Sequence, residues 1–416
     1  MKSVLVLAVL TATAFSTFAQ SNDKDFLAKF ESTFESVGNI SAGNFVPEAF
    51  MSGTLHRVRP LAFNDGLNNT YFMDSPSGVL EVVGTPALLV RIREIYALDH
   101  LRGLSKTEEF GKALAKSAGS KVGSVADAVL DPVNTIKNVP KGASRFFGRI
   151  GEGLKGGKSN DEAGGALQGL TGTSKAKAKL AAELGVSPYT TNEELQRELT
   201  ATAQAMAGGG LIVTAATSFA SGGAGTALTV VGVNQTLQDT LINSTPEDLR
   251  ILNRKKLFAL GLSRAQADEF LMHPWYSPWH ETIITEALAT IGVDPSAFLA
   301  DACRALTTED AYFFQRIAEI LLRYHTTAAP LRSIRVENGV VCALDRDGTL
   351  VVPLSCDYAV WAERSARRTE EFAASARDNH DIKGLALWVD GKVSDRLAQE
   401  LATRKIAVTE SALGKR

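Results

Sequence analysis

Three places in the chain gather side chains that could do chemistry. The first is Asp345-Arg346-Asp347-Gly348-Thr349-Leu350, where two carboxylates stand two residues apart after the apolar run 340–344. Carboxylates so spaced at a strand end can divide the work of nucleophile and general acid/base. The second is the stretch 273–281, HPWYSPWHE, which holds two His, two Trp, a Tyr and a Glu. His273, His280 and Glu281 are metal-ligand types, although a spacing of seven between the histidines fits no standard zinc pattern. Trp275 and Trp279 read either as an exposed aromatic grip for a partner or as wedges between helices. The third is Gly156-Gly157-Lys158-Ser159. A phosphate loop needs a glycine where Glu152 stands and a strand before it, so that reading fails. There is no G-x-S-x-G for a serine nucleophile and no C-x-x-C for redox or zinc chemistry.

The apolar run 340–344 followed by D-x-D-G-T-L resembles the first motif of haloacid-dehalogenase-type phosphatases. The resemblance implies that Asp345 attacks phosphorus and that Asp347 serves as acid/base with magnesium nearby. It covers only the residues around 340–350, and that family continues into a Rossmann-like sheet with a lysine and further aspartates. The residues themselves offer a plainer reading, because Asp-x-Asp-Gly is also the chemistry of a tight turn. No other cofactor is implied.

The elements that would position these groups follow from pattern. Asn338-Gly339 and Asp347-Gly348 separate the β-type runs 333–336, 339–344 and 349–354, which predicts hairpins. A helix over 358–377 follows, and a strand at 385–389, a helix capped by Ser394 and a strand at 406–408 form a compact β-α-β unit that completes a small α+β domain, 331–416. Upstream, helix starts are marked at Thr190-Thr191, at Thr245-Pro246, at Ser263 with Gln266, at Ser277-Pro278, at Asp294-Pro295 and at Thr308-Glu309-Asp310. These predict a helical domain over 191–330. A second α+β domain is expected over 20–103, with β-type runs at 54–59, 70–73 and 80–83. A helix over 86–101 follows them, with Leu88, Ile92, Ile95 and Leu98 on one stripe.

Between these domains, 104–190 is a glycine-rich connector. Its 121–180 portion carries ten Lys/Arg against five Asp/Glu, a local charge of +5. Within it, Arg145, Phe146, Phe147 and Arg149 could form a basic amphipathic contact for an anionic membrane or a partner.

The longest uncharged run, 199–238, spans forty residues without Asp, Glu, Lys, Arg or His. Small residues recur every four positions (Thr214, Ser218, Gly222; Ala216, Ala220, Ala224), which suits a closely packed helical hairpin bent at Gly222-Gly223. That hairpin is either buried core or a membrane-inserting device. The expected fold class is therefore α+β, mainly α: a central helical bundle containing the uncharged Gly/Ala-rich hairpin, with small antiparallel-sheet domains at both ends.

The first residues read as a secretory signal: Lys2, an apolar run 4–15, and Thr17 and Ala19 before a mature start at Gln20. Export would leave Cys303, Cys342 and Cys356 in oxidising surroundings, which permit one bridge and leave one thiol over. Across 416 residues the net charge of −2 argues against nucleic acid as a partner. The expected role is non-enzymatic binding or scaffolding in the cell envelope, with a protein or a membrane surface as partner. A phosphatase and a secreted membrane-inserting effector are the alternatives.

Overall fold

The computed structural model describes residues 33–119, 161–211, 213 and 235–414. The expected secretory signal, the basic segment with Arg145, Phe146, Phe147 and Arg149, and the centre of the uncharged run (214–234) lie outside the described residues. The architecture is α+β with a helical majority.

The first sheet is built on β4 (Asn69–Ser75). β5 (Gly78–Val83) runs along one side; β2 (Arg57–Val58) and β3 (Leu61–Asn64) share the other, and β1 (Gly38–Ser41) pairs with β3. All pairings are antiparallel. The alternation of β4 turns Tyr71 and Met73 inward, where they meet Val82, Leu88 and Ile92 in a closed core. Leu88 and Ile92 belong to α1 (Thr85–Ser105), which starts on Pro86 as the sequence predicts. The far end of α1 packs with α3 (Asp161–Glu183) and α4 (Glu193–Gly209) through Leu101, Leu180, Leu184, Leu195 and Leu199. α2 (Glu108–Gly119) lies on α4, with Phe110 against Ala205.

The next helices are α5 (Gln235–Asn243), α6 (Pro246–Ala259), α7 (Arg264–Leu271), α8 (Pro278–Ile291), α9 (Ser296–Ala302) and α10 (Thr308–Thr327). Thr245 and Asp248 close a reciprocal cap on α6, and Ser263 and Gln266 do the same on α7. Gly292 ends α8 at φ 70°, where a side chain would be strained. Two starts differ from expectation. α4 is capped by Asn192, because Thr190 instead gives its hydroxyl to the buried Glu94. α10 is capped by Thr307, whose hydroxyl accepts from the Asp310 N–H.

The C-terminal sheet corrects the expectation of antiparallel pairing at both ends. Its order is β12-β10-β8-β7-β6, formed by β6 (Leu331–Glu337), β7 (Val340–Asp345), β8 (Thr349–Leu354), β10 (Gly384–Val389) and β12 (Ile406–Thr409). β6, β7 and β8 form an antiparallel meander, whereas β10 is parallel to both β8 and β12. Each parallel step is made by a helical crossover, α11 (Glu363–Asp378) and α12 (Asp395–Thr403). The residues expected to open α11 instead form β9 (Tyr358–Ala359), which pairs with β11 (Lys392–Val393).

One hydrophobic core runs across the connection at residue 330. It joins Phe270, Ile284, Phe298 and Leu321 of the helices to Ile334, Val341 and Val351 of the sheet. No disulfide joins Cys303, Cys342 and Cys356, so the permitted bridge is not formed among the described residues. Cys342 and Cys356 are buried in separate packing clusters.

The two ends of the chain are bolted together by a buried carboxylate. Asp357 Oδ2 accepts the Asn69 N–H at 3.0 Å, and its Oδ1 accepts the Thr85 N–H at 2.9 Å. The second contact sits on the first turn of α1, whose preceding Gly84 has no side chain to cap with. Glu35 adds a parallel tie, accepting from the Trp361 N–H at 2.6 Å and from the Ser394 hydroxyl.

Candidate functional site

The residues singled out from the sequence are distributed by the fold into structural roles. Asp345 ends β7 with both oxygens engaged: Oδ2 accepts from the Tyr324 hydroxyl at 2.7 Å, and Oδ1 from the N–H groups of Asp347 and Thr349 at 2.9 and 2.7 Å. Burial pushes its carboxyl up, but the Tyr324, Thr349 and Asp347 donors outweigh burial and hold it below the ordinary value. Asp347 is exposed on the turn. The pair therefore pins a hairpin to α10, and only one of its members faces solvent.

The cluster 273–281 is divided between the α7–α8 loop and the first turn of α8. His273 Nε2 bonds the Cys303 carbonyl at 3.0 Å. Glu281 is fully buried and held by Arg250 through two bonds of 3.1 and 3.2 Å. Burial pushes its carboxyl up to about 7 against the pull of Arg250, and burial alone holds His280 down to about 4. Among the described residues no group of three His, Cys, Asp or Glu is placed to hold a metal. Trp279 takes the inward of its two readings. It is 7% exposed, edge-on to Tyr189 and packed on Leu237, Leu241, Leu249 and Ile283. Trp275 remains 42% exposed.

A second buried charged network lies deeper. Arg316 on α10 bonds Glu319 at 2.7 Å and Asp390 at 3.0 Å, and Glu319 also accepts from Gln315. Burial works against the Arg316 charge, yet Tyr312, Glu319 and Asp390 together hold its proton on. Burial also pushes the Glu319 carboxyl up, opposed by Arg316 and Gln315. Asp390 accepts from the Cys356 N–H at 2.9 Å, bringing the loop after β10 against the loop after β8. Gly391 is required there, because a Cβ would overlap the carbonyls of Cys356 and Asp357. All of these groups are consumed in holding the fold.

Among the described residues, one concave feature leaves polar groups unused. A cavity of about 460 Å3 opens between β5, the β4–β5 turn, Leu55, one face of α1 and the start of α4. Its apolar wall is Leu55, Leu80, Val82, Ile95 and Leu98. On α1 the lining positions 91, 95, 98 and 102 fall four, three and four apart, so Arg91 and Arg102 bracket Ile95 and Leu98 along one stripe. Both arginines are taken: Arg91 bonds Glu94 at 2.7 Å and the Thr191 hydroxyl at 2.9 Å, and Arg102 bonds Glu194 at 2.6 Å. The Arg102 pair is nearly half exposed and contributes little. Glu81 and Asp99 also border the cavity and carry no ion pair among the described residues.

The sheet beside this cavity presents an apolar outer face. Register places Phe63, Thr70 and Val83 in one cross-strand row and Asp74 opposite Val79. Leu61, Phe63, Val79 and Val83 are 61%, 45%, 53% and 53% exposed, an adjacent group rather than scattered single residues. None of these residues was marked by sequence motifs. The available signals were the Arg-Ile-Leu-Arg stripe of α1 and the valines at alternate positions of a strand otherwise expected to show a polar side.

No protein-family model, curated protein or solved structure matches the chain.

Proposed function

We propose that this chain is a non-enzymatic binding or scaffolding protein of the cell envelope, exported through its first nineteen residues, which engages a protein partner in the groove between β5 and α1. The observation that carries the reading is the pairing of an apolar-walled cavity with unmatched carboxylates beside an exposed apolar sheet face. The carboxylates Asp345, Glu281, Glu319 and Asp390 are already engaged by internal partners, which supports binding over turnover. The uncharged run 199–238 belongs to the same picture as a buried hairpin of a central helical bundle. Its described ends are in protein, with Leu199, Thr202, Ala203 and Ala205 buried at its start and Leu237 buried near its end. Among the described residues no helix is long and apolar enough to cross a membrane.

The test places a photo-crosslinking residue at Ile95, and at Ile251 as an exposed control, in full-length protein expressed in its host. The expected outcome is mature protein starting at Gln20 that does not float with liposomes and crosslinks to an envelope protein from Ile95 alone. Absence of any Ile95-specific adduct, or retention of residues 1–19, would refute the reading.

A further inference from the structure

The free side of β5 has a defined hydrogen-bonding phase. The Gly84 N–H donates to the Asn69 carbonyl at 2.8 Å, so that pair is hydrogen-bonded across the antiparallel ladder. Counting back by twos along the register, Tyr71–Val82, Met73–Leu80 and Ser75–Gly78 are hydrogen-bonded pairs as well. Val79, Glu81 and Val83 lie between them and turn their N–H and C=O groups away from β4. Among the described residues no strand pairs with that side. An edge of this kind is a template for another chain unless charge or proline blunts it. Here the blunting is slight: Pro76 is confined to the turn, and Glu81 is the one charged residue on the strand.

The cavity borders the same strand, with Leu80, Glu81 and Val82 in its wall. A further strand would run about 4.8 Å outside β5, and its alternate side chains would enter the space walled by Leu80, Val82, Ile95 and Leu98. The charge that remains there is negative. Arg91 and Arg102 are held by Glu94, Thr191 and Glu194, whereas Asp99 and Glu81 have no cation partner among the described residues. A cationic side chain near Asp99, or directly across from Glu81, supplies what the groove lacks.

We propose that the groove binds an extended, basic segment of another protein by strand addition: the segment pairs with the outward N–H and C=O groups of Val79, Glu81 and Val83, sets alternate apolar side chains into the cavity and answers Asp99 and Glu81 with Lys or Arg. This rests on the binding role proposed above and gives it a partner chemistry.

The probe is a short labelled peptide of alternating valine and threonine with two central arginines, followed by fluorescence anisotropy and amide exchange on the full mature chain. Two control peptides carry glutamate for arginine, or N-methyl groups on alternate residues of one edge. The expected result is saturable binding of the arginine peptide, slowed exchange at Val79, Glu81 and Val83, and loss of binding on N-methylation of the pairing edge. The double variant Glu81→Lys/Asp99→Lys should lose about tenfold for the arginine peptide and come to prefer the glutamate peptide. Glu81→Pro removes one outward N–H at a position where an edge strand accepts proline, and should weaken binding with the melting temperature retained. Binding indifferent to N-methylation, unchanged preference in the double variant, or no binding would overturn strand addition. So would groove-dependent binding to phosphatidylglycerol vesicles in place of peptide. A specific Ile95 adduct without peptide binding would sink strand addition and keep the groove as a docking site; peptide binding without the adduct would do the reverse.

Discussion

Replacing Asp357 by alanine tests the long-range joint directly. Its carboxylate is 4% exposed and takes two backbone N–H groups, those of Asn69 and Thr85. Hydrogen bonds to a charged group contribute about 1.5–3 kcal/mol each, and removing the acceptor strands two buried donors. The Thr85 contact also sets a negative charge on the N-terminus of α1, about 0.3–1 kcal/mol more. Water entering the vacated space recovers part of the sum, so Asp357→Ala is expected to cost about 3–5 kcal/mol. Asp357→Asn keeps one acceptor oxygen and turns its NH2 toward the other donor, so about 2 kcal/mol is expected. With several cores in the chain, a single unfolding midpoint is a weak readout. Urea denaturation should therefore be combined with amide exchange at Asn69 and Thr85, which is predicted to accelerate before that of the Phe270–Phe298 core. A loss below ~1 kcal/mol, or unchanged exchange at those two amides, would refute the joint.

Two further outcomes follow from the buried charges. Arg316→Met strands Glu319 and Asp390 without a cation and should destabilise by about 3–5 kcal/mol in urea, whereas Arg304→Met, on an exposed side chain, should be nearly silent. Glu281 holds a proton in the folded chain up to about 7, above the 4.5 of an unperturbed carboxyl. Its contribution is full below 4.5 and lost as pH rises through 7. His280, held down to about 4 from 6.5, contributes in the opposite sense, fully above 6.5 and progressively less as pH falls to 4. Stability measured between pH 4.5 and 6.5 should therefore show two opposing slopes that largely cancel in the wild type. Glu281→Gln should expose the rising limb alone, and a profile unchanged by that substitution would contradict the buried assignment.

Local chemistry was legible where a few consecutive residues decide the outcome. Asn338-Gly339 is the β6–β7 turn, with φ of 53° and 72°, as a two-residue hairpin of that type demands. The caps at Thr245, Ser263 and Ser277 stand where the sequence places them. The misses are tertiary. Thr190 looks like a cap, but its hydroxyl is claimed by Glu94, almost a hundred positions away. The helices between the C-terminal runs made a β-α-β ending legible, whereas the sheet order, with β10 between β8 and β12, was not. Trp279 could be read outward or inward because sequence alone does not show that Tyr189 and Leu249 wait beside it. The groove escaped notice for the same reason: β5, α1 and α4 each supply a part of it, and each part is ordinary alone.

The bolt between Asp357 and the first helix also sets a clock. During synthesis the sheet around β4 emerges early, but the acceptor for Asn69 and Thr85 is still unmade. The 272 residues between Thr85 and Asp357 take roughly 14–54 s at about 5–20 residues per second. For that interval the start of α1 lacks the carboxylate that takes its Thr85 N–H. Arg316 waits in the same way for Asp390, made 74 residues after it, so both long-range ties wait for the synthesis of the C-terminal sheet.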